Sequence, residues 1–176
     1  MRTRSFSGVT FRYHPDPLKT GSFCRGEVVC DCCGNATAVS YSGPIYSESD
    51  GIILCPACIA SGKAIETFGG CFTAPDHCDD IGDPDKLAEV CCRTPGYAGI
   101  QQECWLSHCG DYCAYVGQVS YEDMTEKLRR EAANTWSERP QRWDFDHVMG
   151  SLGLQYEGHL FRCLVCGKHL LYVQRD

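Results

Sequence analysis

Three C-x-x-C steps constrain this chain more than any other feature: Cys30-Asp31-Cys32-Cys33, Cys55-Pro56-Ala57-Cys58 and Cys163-Leu164-Val165-Cys166. Such a turn aims two sulfurs and the neighbouring backbone N–H groups at one point. Zinc takes four N or S ligands tetrahedrally, so each turn needs a partner pair. The first and third turns are followed directly by Gly34 and Gly167, and glycine tolerates the positive φ that closes the turn. Cys33 and Cys55 are separated by 21 residues. C-x2-C-x21-C-x2-C lies near the usual four-cysteine zinc spacing, so Cys30, Cys33, Cys55 and Cys58 are expected to form one zinc site. Cys32 sits between two ligands and is expected to point away from the metal.

Cys163 and Cys166 have no C-x-x-C partner left. The best candidate is the run His108-Cys109-Gly110-Asp111-Tyr112-Cys113. Cys109 and Cys113, at i and i+4, are expected to complete a second zinc site with Cys163 and Cys166, and His108 is able to replace one of them. The remaining cysteines, Cys24, Cys32, Cys71, Cys78, Cys91, Cys92 and Cys104, are read as core or incidental.

The metal reading depends on the compartment. The first residues, MRTRSFSGVTFRYHPDP, have no apolar h-region and no small-residue cleavage site, so no secretory signal is expected and the location is read as cytoplasmic. In a reducing compartment paired C-x-x-C steps mean metal more often than disulfides. The chain's 15 cysteines also form an odd number that cannot pair completely within one chain. The longest nearly apolar run, Ile52–Ala60, is far short of a membrane span.

With 43% hydrophobic and 22% charged residues over 176 positions, the composition is that of one ordinary globular domain. The formal net charge is −7, and zinc held by four thiolates would take it further negative. An acidic field repels phosphate backbones, so nucleic acid is not an expected partner. A basic protein suits the charge better.

The expected fold class is α+β: a small mixed domain with short antiparallel strands, zinc-knuckle turns and a C-terminal zinc-ribbon-like β-hairpin. Residues 6–20 read as an extended arm, with Phe11 and Tyr13 laid on a core and two X-Pro steps at His14-Pro15-Asp16-Pro17 that disfavour helix. Within a single domain over 1–176, residues 26–68 form an N-terminal knuckle unit. There, strands at Glu27–Asp31, Ala36–Tyr41 and Gly51–Leu54 lead to one helix from about Pro56 to Phe68. Asp83-Pro84 predicts a capped helix over 84–92, and Tyr112–Val119 has strand character. Residues 121–152 form a helical segment. It opens at Ser120 and Asp123, which imitate a capping box, and runs to about Trp136. A linker at Ser137–Arg142 and a further helix at Asp144–Leu152 follow. The tail, 158–174, reads as the knuckle hairpin.

Neither H-E-x-x-H nor G-x-S-x-G occurs, and the six histidines are scattered. A catalytic zinc keeps an open position, whereas closed four-ligand sites hold structure, so no enzyme and no catalytic residue is expected. One alternative is a thiol–disulfide oxidoreductase. Cys55-Pro56-Ala57-Cys58 follows an apolar run and opens a helix, and a helix N-terminus lowers a thiol pKa.

The combination of motifs resembles the CbrC family, bacterial proteins associated with colicin tolerance. The resemblance is carried by Phe11–Leu18, Cys30–Gly34, Tyr41–Tyr46, Leu54–Ala64, Arg93–Tyr97, Gln101/Gln102, Trp105–Asp111 and Leu160–Lys168. It implies tolerance or immunity to a colicin-like toxin. Two routes follow: binding a basic bacterial toxin directly, or acting indirectly as an envelope-stress factor. It supplies no catalytic residues.

Overall fold

The computed structural model describes residues 8–138 and 142–175. Its strands are short and all pair antiparallel. Strands β1 (Phe23–Val29) and β2 (Ala36–Tyr41) form one hairpin, and β3 (Ser107–His108) and β4 (Asp111–Tyr112) form a second. Strands β5 (Ala114–Val119), β6 (Tyr156–Arg162) and β7 (His169–Arg175) form a sheet of that order. Among the described residues five α-helices are interleaved: α1 (Pro56–Ala60), α2 (Lys63–Phe68), α3 (Pro84–Arg93), α4 (Glu126–Ser137) and α5 (Phe145–Gly150). This is the expected small α+β fold. Among the described residues no helix is long and apolar enough to cross a membrane.

Several local expectations change. The helix expected over 56–68 is two short ones, because Gly62 takes the left-handed conformation at φ 82° between them. Helix α4 starts later than expected. Ser120 and Asp123 make a closed turn of their own, Ser120 N donating to Asp123 Oδ2 at 2.8 Å. The cap is Thr125, whose hydroxyl accepts from Leu128 N. The strand expected at 51–54 does not form. Its residues instead clip to the hairpin through Tyr41 N donating to Leu54 O and Asp31 N donating to Ile53 O. In the expected linker, residues 139–141 lie outside the described residues, as do 6–7 of the arm.

Three buried clusters explain how these pieces hold together. Phe11, Phe23, Tyr41, Leu54, Ile59 and Phe72 pack under the first hairpin. Met124, Trp136, Val148, Tyr156, Leu160 and Val173 fill the space between α4, α5 and the sheet. Between them lies an aromatic core of Tyr13, Tyr97, Trp105, Tyr112, Tyr115 and Phe161. Each large side chain fully withdrawn from water contributes about 1.5–3 kcal/mol. The arm ties two of the clusters, with Phe11 in one and Tyr13 in another. His14 is fully buried there, with Nδ1 2.7 Å from Pro95 O and Nε2 2.7 Å from Thr20 Oγ1. Burial pushes its pKa down to about 4, so at neutral pH the ring is uncharged and serves packing.

Candidate metal centres

The first centre grows from two turns. After β1, Cys30 begins a turn closed by Gly34 N donating to Cys30 O at 2.8 Å, with Gly34 at φ 71°. Asp31 locks this turn to the other half of the site, because its carboxylate accepts from Ile53 N at 2.7 Å. The chain then delivers Cys55 as the cap of α1, with Pro56 in its first turn. The four sulfurs of Cys30, Cys33, Cys55 and Cys58 lie within 4.8 Å of one another. The Cys30–Cys58 and Cys33–Cys55 separations are both 3.9 Å. A tetrahedral zinc with Zn–S bonds of about 2.3 Å spaces its sulfurs about 3.8 Å apart, so the donor set fits.

The electrostatics also suit a cation. Burial raises the Cys30 thiol, but the N–H groups of Cys55, Cys33 and Cys32 outweigh it and bring the pKa down to about 7. Burial pushes Cys55 and Cys58 up. Four sulfurs this close cannot all ionise unless a cation offsets their repulsion. Cys32 is outside the group. Its sulfur lies 3.6 Å from Thr67 Oγ1 on α2, and it also helps push the neighbouring Cys58 thiol up.

The second centre differs from the leading expectation. Its ligand atoms come from His108, Cys109, Cys163 and Cys166. Cys113 is not among them: it is fully buried in the aromatic core. The reason is local. An i, i+4 pair shares a face on a helix, but here the chain is a hairpin. Cys109 and Gly110, at φ 55° and 72°, are the two-residue turn between β3 and β4. Left-handed conformation at both turn positions matches the twist of the strands. Cys113 then lies beyond β4, where its N–H donates to Leu106 O and its carbonyl accepts from Trp105 Nε1.

Asp111 fixes this turn. Its buried carboxylate receives Tyr13 Oη at 2.9 Å, pairs with Arg12, and lies 3.6 Å from Lys86 Nζ. Opposite, β6 and β7 present the glycine-closed turn of Cys163–Gly167, with Gly167 N donating to Cys163 O. His108 Nδ1 lies 3.1 Å from Cys109 Sγ and 3.4 Å from Cys166 Sγ. Its other nitrogen, Nε2, is 3.2 Å from Glu138 Oε2. A metal-ligating histidine characteristically gives its second N–H to a carboxylate, which orients the ring and raises its basicity. Burial raises the Cys163 thiol, yet the N–H groups of Cys166 and Val165 and the His108 contact bring it down to about 6. Cys109 is pushed up to about 11, by burial and then by the thiols of Cys166 and Cys163.

Glu138 carried no signal in the sequence. It caps the C-terminus of α4, 30 positions from His108, and only the packing of that helix over β7 brings it to the site.

Residues 9–175 match the uncharacterised protein family UPF0167. The chain belongs to that family. UPF0167 proteins of Mycobacterium bovis and Mycobacterium tuberculosis are each 40% identical to it over 170 residues, covering 92% of this chain and 90% of theirs. A UPF0167 protein of Pseudomonas aeruginosa is 37% identical over 171 residues, 90% of this chain and 92% of its own. The names of these UPF0167 relatives state no activity. No solved structure matches the chain.

Proposed function

We propose that this UPF0167 protein is a non-enzymatic scaffold held by two structural zinc ions, and that it acts by binding another protein. The observation that carries this reading is the closure of both ligand groups. Each offers four N or S donors within 4.8 Å, and a structural zinc is satisfied by four such donors, whereas a catalytic zinc keeps a position for water or substrate. Thiolate and imidazole donors favour zinc over the oxygen-seeking cations. Clustering of Cys55 and Cys58 with two further sulfurs weighs against a thiol–disulfide oxidoreductase role for that pair.

The resemblance to the CbrC family directs the partner. We take the reading to be tolerance or immunity to a colicin-like toxin through direct binding, and the net charge of −7 suits a basic toxin. The zinc part is tested by elemental mass spectrometry of protein purified under reduction, together with thiol titration. Two zinc ions per folded chain are expected, and none would overturn the reading. The binding part is tested by making a basic colicin nuclease domain in the cytosol of cells that co-express this protein. Protection and a 1:1 complex are expected. Protection confined to externally added toxin would instead mean an indirect effect on the envelope.

A further inference from the structure

A close cysteine pair lies outside both metal centres. The sulfurs of Cys78 and Cys91 are 3.9 Å apart, as near as the sulfurs of the first centre. Among the described residues no further His, Cys, Asp or Glu ligand atom joins them in a metal-sized group. Two thiols without a third ligand form a poor metal site and a good dithiol.

We infer that Cys78 and Cys91 are a reversible dithiol–disulfide site that reacts with low-molecular-mass disulfides, Cys78 meeting the reagent and Cys91 resolving the product. Access separates the two roles. Cys78 ends the short 3-10 turn Pro75–His77 and lines two surface clefts of about 400 Å³ each. One cleft is walled by His77, Glu103 and Tyr172, the other by Ile81, Leu87 and Tyr112. Cys91 is only 3% exposed, on α3 in the interior. Bonding requires the sulfurs to close from 3.9 Å to about 2.05 Å. Cys78 lies outside any helix in an isolated bridge to Trp105, so its approach comes from rotation of the cleft-facing side chain rather than from movement of the packed helix α3.

The chemistry balances with the small disulfide as oxidant. The contact between the thiols raises the Cys78 thiol and lowers the Cys91 thiol, so one ionisation of the pair leaves a single proton shared between sulfurs 3.9 Å apart. Transfer of that proton to Cys91 puts a thiolate at the cleft. Cys78 Sγ attacks one sulfur of RSSR, the S–S bond breaks, and RS⁻ leaves with the electron pair. Cys91 Sγ then attacks Cys78 Sγ of the mixed disulfide and expels the second RS⁻, and the pair's proton goes to one of the two leaving groups. The protein loses two electrons, and RSSR becomes RSH and RS⁻. The new bond would tie α3 to the loop whose next residue, Asp79, accepts from Ser107 N at 2.6 Å, immediately before His108 of the second centre.

The test uses the full metal-loaded chain, oxidised glutathione as the probe, alkylation of remaining thiols and peptide mapping. Lys86 lies between the two cysteines, so trypsin places them on separate peptides that only the disulfide joins. The expected result is a Cys78–Cys91 cross-link, lower in mass by two hydrogens, before any other cysteine reacts and with metal content unchanged. Cys91→Ser should trap one glutathione on Cys78, and Cys78→Ser should leave Cys91 unmodified. Alkylatable Cys78 and Cys91 after other cysteines have oxidised would overturn the proposal, as would an adduct on Cys91 in Cys78→Ser. Should either variant fail to fold, the wild-type map decides alone.

Discussion

The two metal centres use the same glycine-closed turn but sit in the fold differently. The first is drawn from residues 30–58, and three of its four cysteines are buried members of the surrounding apolar cluster. The second joins segments 58 positions apart, and Cys109 and Cys166 are exposed. Around the first, ligand group and core are one object, since the turn after β1 and helix α1 meet at the sulfurs. Around the second, the sheet β5–β6–β7 already has cores on both sides, and the ligand group joins two hairpin tips. The difference teaches that one ligand chemistry can build a core in one place and latch two loops in another.

That contrast is breakable. Cys55→Ser should have the largest effect. It removes a buried ligand and leaves three sulfurs without an adequate cation site, so one zinc equivalent should be lost with more than about 4 kcal/mol of stability. Zinc content and denaturant unfolding measure both. Cys166→Ser should also release one zinc, but at about 2–3 kcal/mol, with cross-peaks of residues 23–72 unmoved in NMR spectra. Equal losses from the two variants would erase the distinction between core and latch.

Smaller changes sharpen it. Glu138→Gln removes the carboxylate behind His108 and should weaken zinc at the second centre about 10–100-fold, leaving the first untouched in a competition titration with a chelator. Cys113→Ala should retain both ions and cost about 1–2 kcal/mol, a loss of packing alone. Zinc release from Cys113→Ala would restore it as a ligand. Cys32→Ser should be the mildest, keeping both ions with stability within about 0.5 kcal/mol.

The legibility of the molecule follows distance along the chain. Strand β2 and helix α3 were readable because their signals are local: an apolar run between turns, and Asp83-Pro84 at a helix start, where Asp83 does accept from Lys86 N. The split at Gly62 was hidden because a glycine inside a helical pattern does not announce whether it takes a positive φ. Thr125 was passed over as the cap of α4 because Ser120 and Asp123 offered a similar local hydrogen bond five residues earlier.

What the sequence by itself determined was each chelating turn: the sulfurs at C-x-x-C spacing, the glycine behind two of them, and the pairing of Cys30 and Cys33 with Cys55 and Cys58. Those depend on a few neighbouring dihedrals and one common spacing. Only the tertiary structure decided that His108 stands with Cys109, Cys163 and Cys166 while Cys113 turns inward, that Glu138 lies behind the imidazole, and that Cys78 meets Cys91. Each of these rests on where whole elements pack. In particular, residues 107–112 form a hairpin whose two-residue turn is Cys109-Gly110, and that leaves only the first of two cysteines four positions apart within reach of the ligand group.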